Sequence, residues 1–173
     1  QDVLAQLDGK IDLLIDAGQT RYGKDSTIVV ISPEGRWSVV REGVVSRADL
    51  IDLLRRKIVF VCTGNTCRSP MAEGLARTLL SERAGVRPDQ LDKTEFEVCS
   101  AGLWASDGQP ATSEAIWAAG KLNADIREHR SQKLDGMLIS SADMIFCMTQ
   151  GHVEEVRRLA GRNDKIFRLD PEA

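Results

Sequence analysis

The feature that most limits what this chain can fold into is the run Lys57-Ile58-Val59-Phe60-Val61. It is apolar without alternation, as in a strand covered on both faces of a parallel sheet. A polar loop follows, and then Pro70-Met71-Ala72-Glu73 opens a helix to about Ala84, with proline near its first turn. From there the strand and helix patterns alternate. Phe96–Cys99 reads as a strand, and Ser113 to about Leu122 as a helix with Ser113 as its N-cap. Ala142–Met148 reads as a strand, Val153–Ala160 as a helix and Lys165–Leu169 as a last strand. This order predicts an α/β fold: a three-layer sandwich around a four-stranded parallel sheet. Ligands of such sheets sit at the carboxyl ends of strands, which directs attention to the loop after Val61.

That loop reads Cys62-Thr63-Gly64-Asn65-Thr66-Cys67-Arg68-Ser69. Gly64 and Asn65 both tolerate unusual backbone angles, so the loop can curl until successive N–H groups face inward as an anion nest. The helix that begins near Ser69 adds its positive end at the same point. Arg68 supplies a planar fork for two phosphate oxygens. A Cys62 sulfur facing that field is favoured as the thiolate, the form that attacks phosphorus. Ser69 fits either a helix cap or a partner of the sulfur.

The residues before 57 have another rhythm. Ile11–Ile15 and Thr27–Ile31 read as strands, Ser32-Pro33-Glu34-Gly35 as a turn and Trp37–Val40 as a returning strand. Ser46-Arg47-Ala48-Asp49 resembles a capping box opening a helix to about Leu54. The reading is a small α/β appendage over 1–56 and a second domain over 57–173. The appendage is of marginal size for a core of its own. The chain of 173 residues carries net charge −3, which disfavours a nucleic-acid partner for the second domain. No apolar run reaches the roughly 20 residues of a membrane helix. The four cysteines, Cys62, Cys67, Cys99 and Cys147, are too few for a disulfide framework and suit a reducing, cytoplasmic setting. Cys99 and Cys147 lie in apolar strands and read as core.

With the loop goes a set of further landmarks: Ser100-Ala101-Gly102, His129-Arg130-Ser131, and Ala142-Asp143 followed by Cys147-Met148. Together they resemble the low-molecular-weight protein tyrosine phosphatases over about 57–169. The resemblance implies Cys62 as nucleophile of a thiophosphate intermediate and Arg68 as phosphate clamp. It implies a loop of Thr63, Gly64, Asn65, Thr66, Cys67 and Ser69 around a phosphate or sulfate ion, and a phosphorylated protein as substrate. Ser69 would hydrogen-bond the thiolate. Asn65, Ser100 and His129 would hold the loop, with His129 in a supporting role. Cys67 fits either a filler of the loop or, as the resemblance implies, a thiol that can form a reversible, protective disulfide with Cys62. No metal and no organic cofactor is implied.

The run Cys-Thr-Gly-Asn-Thr-Cys-Arg at 62–68 is similar to that of bacterial protein-arginine phosphatases, where tyrosine-directed members carry an aliphatic residue at the position of Thr66. Phosphoarginine is therefore favoured, with phosphotyrosine kept open. The family's general acid belongs to an Asp-Pro pair. Asp170-Pro171 follows the last strand without an intervening loop, so the acid is expected beyond Ala173 rather than at Asp170. Residues 11–46 resemble the C-terminal part of the threonylcarbamoyl-adenylate synthases, through Asp12–Gly18, Ser26–Val29 and Arg41-Glu42-Gly43, with Ser26 and Thr27 as positions to consider near a ligand. That suggests the junction of a fusion. Two rival readings go with the phosphatase: a non-catalytic phosphate-binding or regulatory module attached to a tRNA-modification enzyme, and an arsenate reductase.

Overall fold

A computed structural model describes residues 2–15, 18, 21–161 and 164–170. The chain forms two compact units, residues 1–47 and 48–173.

The first unit holds a six-residue helix α1 (Asp2–Leu7) and a hairpin of β1 (Ile28–Ile31) and β2 (Trp37–Arg41). The hairpin is antiparallel, with Ile31 opposite Trp37 and Ile28 opposite Arg41. Its turn is closed by Gly35 N–H donating to Ser32 O at 2.9 Å, with Gly35 at φ +77° where only glycine is at ease. The expected strand at Ile11–Ile15 does not form. The segment is exposed, with Leu13 78% and Ile15 83% accessible, and among the described residues no strand pairs with it to bury its hydrophobic spacing. Asp16 and Ala17 lie outside the described residues. Ser26 and Thr27 are engaged within the unit: Ser26 O accepts from Arg41, and Thr27 Oγ1 donates to Val45 O and accepts from Gly43 N–H.

Helix α2 (Arg47–Leu54) leads into the second unit. Its first N–H donates to the Glu42 carboxylate at 3.1 Å. Next come β3 (Arg56–Cys62), α3 (Arg68–Ala84), a 3-10 turn at Pro88–Lys93 and β4 (Phe96–Gly102). These are followed by α4 (Ser113–Gly120), α5 (Gly136–Ser141), β5 (Met144–Cys147), α6 (Gln150–Ala160) and β6 (Ile166–Arg168). The four strands form one parallel sheet in the order β4-β3-β5-β6.

Strand β3 is central and splits its side chains by the period of two. Val59 and Val61 join Ile145, Cys147, Val153, Val156 and Ile166 in the core on one face. Ile58 and Phe60 face the other way, onto Leu91, Val98 and the Ala72, Ala76, Leu80 stripe of α3. Each such side chain contributes roughly 1.5–3 kcal/mol by leaving water. Those two apolar faces explain why the segment reads as unbroken. A third cluster joins α3 to α4 through Met71, Leu75, Ala115 and Ala119.

Three local readings need correction. Thr112, not Ser113, caps α4, its Oγ1 accepting from Ala115 N–H at 3.3 Å. Ser69 is not a cap: α3 begins at Arg68, one residue earlier. The last two strands are shorter than expected: β5 starts only at Met144, because Ala142 caps α5, a helix of only six residues and so too short to show a period, and β6 spans Ile166–Arg168.

Candidate active site

From β3 the chain goes to β4 on one side and later to β5 on the other, so the loop after Cys62 sits where the strand order reverses. Its shape follows from where its carbonyls go. Cys62 O accepts from Leu103 N–H (3.0 Å), Thr63 O from Trp104 N–H (3.0 Å), Thr66 O from Thr112 N–H (2.9 Å) and Cys67 O from Met71 N–H (3.2 Å). Asn65 O takes His129 Nε2 at 2.8 Å. In a trans peptide the N–H points opposite to the preceding carbonyl. With those carbonyls held outward by their surroundings, the N–H groups of Thr63, Gly64, Thr66, Cys67 and Arg68 turn inward. The N-terminus of the 17-residue α3 ends at the same place. This is a cradle for a tetrahedral anion.

Two residues allow the curl. Asn65 adopts φ +54°, the left-handed region that asparagine tolerates. Gly64, the other residue expected to use such freedom, has no positive φ. Gly102 at the end of β4 matters through its missing side chain. A Cβ there would stand 2.7 Å from Thr63 O and 2.9 Å from Asn65 N, both backbone atoms of the loop.

The Asn65 side chain is fully buried and its hydrogen bonds have one orientation. Gln132 N–H can only donate, so the oxygen 2.8 Å from it is Oδ1. The Asn65 amide nitrogen then donates to Ser69 Oγ (2.9 Å) and to Ser100 Oγ (2.8 Å). Each hydroxyl keeps one proton to give. That of Ser100 goes to Glu73 Oε2 at 2.6 Å. That of Ser69 has Cys62 Sγ at 2.9 Å, against Ala101 O at 3.4 Å. Asn65 N–H also points at Cys62 Sγ, at 3.3 Å. Two donors thus converge on the sulfur. His129 donates from Nε2, since a carbonyl only accepts, and its Nδ1 lies 3.9 Å from Glu73 Oε2. Burial raises the Glu73 carboxyl above its ordinary value, against the opposing pull of the Ser100 hydroxyl and His129.

Arg68 lies exposed over the loop, its Nη2 3.5 Å from Thr63 Oγ1. Thr66 Oγ1 is the atom nearest to where a Cβ on Gly64 would stand, at 3.8 Å, and it is 3.8 Å from Cys67 Sγ. Cys67 is a free thiol turned toward Thr112 Oγ1 (3.4 Å) and the α3–α4 cluster. Cys99 and Cys147 pack with Val59 and Val61, on the face of β3 opposite to Ile58, Phe60 and, by the period of two, Cys62. Burial pushes their thiols up to about 11 and about 12. Asp170 stands exposed two residues past β6.

The structure therefore brings Cys62, Asn65, Ser69, Ser100 and His129 together, with Thr63 and Arg68 at the rim. Sequence reasoning missed Gln132, Glu73 and His152. Gln132 meets Asn65 through its backbone N–H, which leaves no trace in residue type, while its side-chain amide donates to Ser100 O. Glu73 reads as an ordinary helix residue. The signal for His152 was its place in the first turn after an apolar strand, behind the capping Thr149. A cleft of about 650 Å³ is lined by Phe146, Val153, Ile166, Phe167 and their neighbours, and by none of residues 62–69.

Residues 57–171 match the family model of the low molecular weight phosphotyrosine protein phosphatases. A protein-arginine-phosphatase of Bacillus subtilis is 40% identical over 113 residues, 65% of this chain and 69% of the relative. A probable low molecular weight protein-tyrosine-phosphatase, EpsP, of Ralstonia nicotianae is 38% identical over 115 residues, 66% and 70% of the two chains. Among solved structures, the YwlE arginine phosphatase mutant carrying a phosphorylated active-site serine superposes with TM-score 0.55 at 38% identity, covering 65% of this chain and 68% of that one. An arsenate reductase of Staphylococcus saprophyticus is 34% identical over a shorter stretch of 91 residues, 53% of this chain and 58% of the relative. The chain belongs to the low molecular weight phosphotyrosine protein phosphatase family, and cysteine-based phosphatase chemistry is the activity that membership carries. Residues 1–56 lie outside the matched stretch. No helix of the described residues is long and apolar enough to cross a membrane.

Proposed function

We propose that residues 57–173 act as a cysteine-dependent protein phosphatase in which Cys62 is the nucleophile and Arg68 the clamp, with phosphoarginine as the preferred group. The observation that carries this reading is the donor chain Gln132–Asn65–Ser69–Cys62 ending on the sulfur at the floor of an inward-facing N–H cradle. The Cys62 thiolate attacks phosphorus and a P–S bond forms as the P–N or P–O bond breaks. Charge developing on the phosphoryl oxygens is met by the loop N–H groups, the α3 terminus and the Arg68 fork. The leaving atom takes a proton from a carboxylic acid, and water then attacks the thiophosphate, releasing phosphate and restoring the thiolate. Chemistry of this kind calls on no metal or organic cofactor.

Thr66 supports the choice of phosphoarginine. Its hydroxyl stands over Gly64 on the loop, where a polar guanidinium leaving group is better matched than by an aliphatic wall. The B. subtilis relative named for arginine dephosphorylation is among the most similar. Arsenate reduction would need further thiols poised to reach Cys62. Half-buried Cys99 and buried Cys147 lie on the opposite side of the sheet, with thiols held protonated at neutral pH. The unpaired cysteines suit the cytoplasm. The first unit we read as an appendage of threonylcarbamoyl-adenylate-synthase type, on the strength of its sequence motifs. Phosphate release from matched phosphoarginine and phosphotyrosine peptides tests the proposal. Faster release from phosphoarginine, reversed toward phosphotyrosine by Thr66→Ile, supports it. Equal rates unaffected by Thr66 would reduce that residue to a structural hydroxyl. Phosphate binding with no release from either peptide would favour a non-catalytic module.

A further inference from the structure

Among the described residues, His152 Nδ1 is the enclosed side-chain polar atom that meets no partner. The residue is buried in the first turn of α6, where its own N–H is capped by Thr149 Oγ1 at 3.3 Å. The other ring nitrogen, Nε2, lies 2.9 Å from Thr63 Oγ1. Thr63 follows Cys62 in the loop, and the same hydroxyl oxygen is 3.5 Å from Arg68 Nη2. One edge of the imidazole thus touches the loop and the other touches no polar group.

The protons can be placed by elimination. A guanidinium only donates, so Thr63 Oγ1 accepts from Arg68. With a bare Nε2, Thr63 would give its proton to the ring, and Nδ1 would carry a buried N–H with no acceptor. Orphaned buried donors are rarer than under-used acceptors. With the proton on Nε2, the Thr63 oxygen accepts from both Arg68 and His152, and the Thr63 proton is left over. The doubly protonated ring is disfavoured, because burial and the Arg68 charge both lower the His152 pKa. The neutral, Nε2-protonated ring is the form these contacts select.

We propose that His152 is a positioning residue of the phosphatase site: it fixes the Thr63 hydroxyl so that its oxygen anchors Arg68 and its proton is offered to the bound phosphoryl group. The inference rests on the loop being the phosphate site, as in the reading above. It gives α6 a role in the chemistry, since a long, exposed Arg68 side chain otherwise samples many rotamers before substrate arrives. It also gives Thr63 two tasks that an aliphatic residue could not perform.

The test uses the full chain with His152→Leu, His152→Gln, Thr63→Val and the double variant His152→Leu/Thr63→Val. Two quantities are read for each: the affinity for inorganic phosphate by titration calorimetry, and kcat and KM on a phosphorylated peptide. Loss of a charge-linked hydrogen-bond chain predicts roughly tenfold weaker phosphate binding and a similar fall in kcat/KM for His152→Leu and for Thr63→Val. His152→Gln, whose amide N–H reaches the place of Nε2–H, recovers most of the loss. The double variant is no worse than Thr63→Val alone. Losses that multiply in the double variant, a Gln variant as poor as Leu, or unchanged phosphate binding in Thr63→Val would each overturn the proposal. Should His152→Leu fail to fold, the Thr63→Val and His152→Gln measurements still decide. Absence of turnover in the wild type would sink the enzymatic reading, yet the phosphate-binding series would still report on His152.

Discussion

Replacing Asn65 by alanine removes more than one contact, and the structure sets the size of the effect. Three hydrogen bonds disappear: those to Ser69, Ser100 and the Gln132 amide. The site is fully enclosed, so water does not replace them. At about 1 kcal/mol each the three come to about 3 kcal/mol. Alanine must also hold φ +54°, which adds about 1 kcal/mol. The expected loss is therefore about 4 kcal/mol, a fall of about 2 M in urea midpoint for a slope near 2 kcal/mol/M. Urea unfolding followed by circular dichroism measures it. Asn65→Gly separates the two causes, because glycine relieves the backbone and restores none of the bonds. It should recover about 1 kcal/mol and no turnover. A midpoint shift below about 0.5 M for Asn65→Ala would refute the accounting, and a glycine variant weaker than alanine would refute the backbone part of it.

Other consequences can be checked with the same material. Cys62→Ser should abolish phosphate release while phosphate still binds, and Arg68→Lys should weaken both, since an ammonium cannot reproduce the two-pronged contact; full activity in either variant would remove that residue from its role. Gly102→Ala places a methyl against Thr63 O and Asn65 N, and should cost about 1–3 kcal/mol and most of the phosphate affinity. Wild-type stability and affinity there would mean that the loop can move aside. Glu73 has a raised carboxyl pKa, so its contribution is fully present below its ordinary 4.5 and is lost as pH rises through the folded value. The stability of Glu73→Gln relative to wild type should therefore grow between about pH 4.5 and 7; a constant difference across that range would contradict the buried-carboxyl account. Asp170→Ala should leave turnover within about twofold, and a large loss confined to poor leaving groups would instead identify Asp170 as the acid.

Residues 57–70 were legible as strand, loop and helix because each obeys a strong local rule. An unbroken apolar run needs two covered faces, and proline fits the first turn of a helix. The hairpin of the first unit was legible through its Pro-Glu-Gly turn. Ile11–Ile15 misled, because hydrophobic spacing declares what a segment could bury and not whether anything lies opposite. Thr112 and Ser113 are both good caps, and sequence could not choose the register between them. The α5 helix escaped notice because six residues contain less than two turns.

For the site, the sequence by itself pointed to Cys62 and Arg68 as the proposed reactive pair and to the class of anion they suit, because a filled Cys-to-Arg loop between a strand and a helix is a property of residue type and local order. The family resemblance named Ser69 as the partner of the sulfur and Asn65, Ser100 and His129 as supports of the loop, but not how they connect. That required Ser100 from β4 and His129 and Gln132 from the segment before α5 to be carried to one asparagine, and Glu73 from α3 to be carried to Ser100. Asn65 and Gln132 are 67 positions apart, and the bond between them uses a backbone N–H that every residue but proline possesses. The direction of each proton along that chain follows from which groups can only donate or only accept, and only the folded arrangement shows which groups meet. His152 makes the same point: its helix turn is visible in the sequence, but the threonine that it touches lies 89 residues away and becomes a neighbour only when α6 packs against β5 and β6.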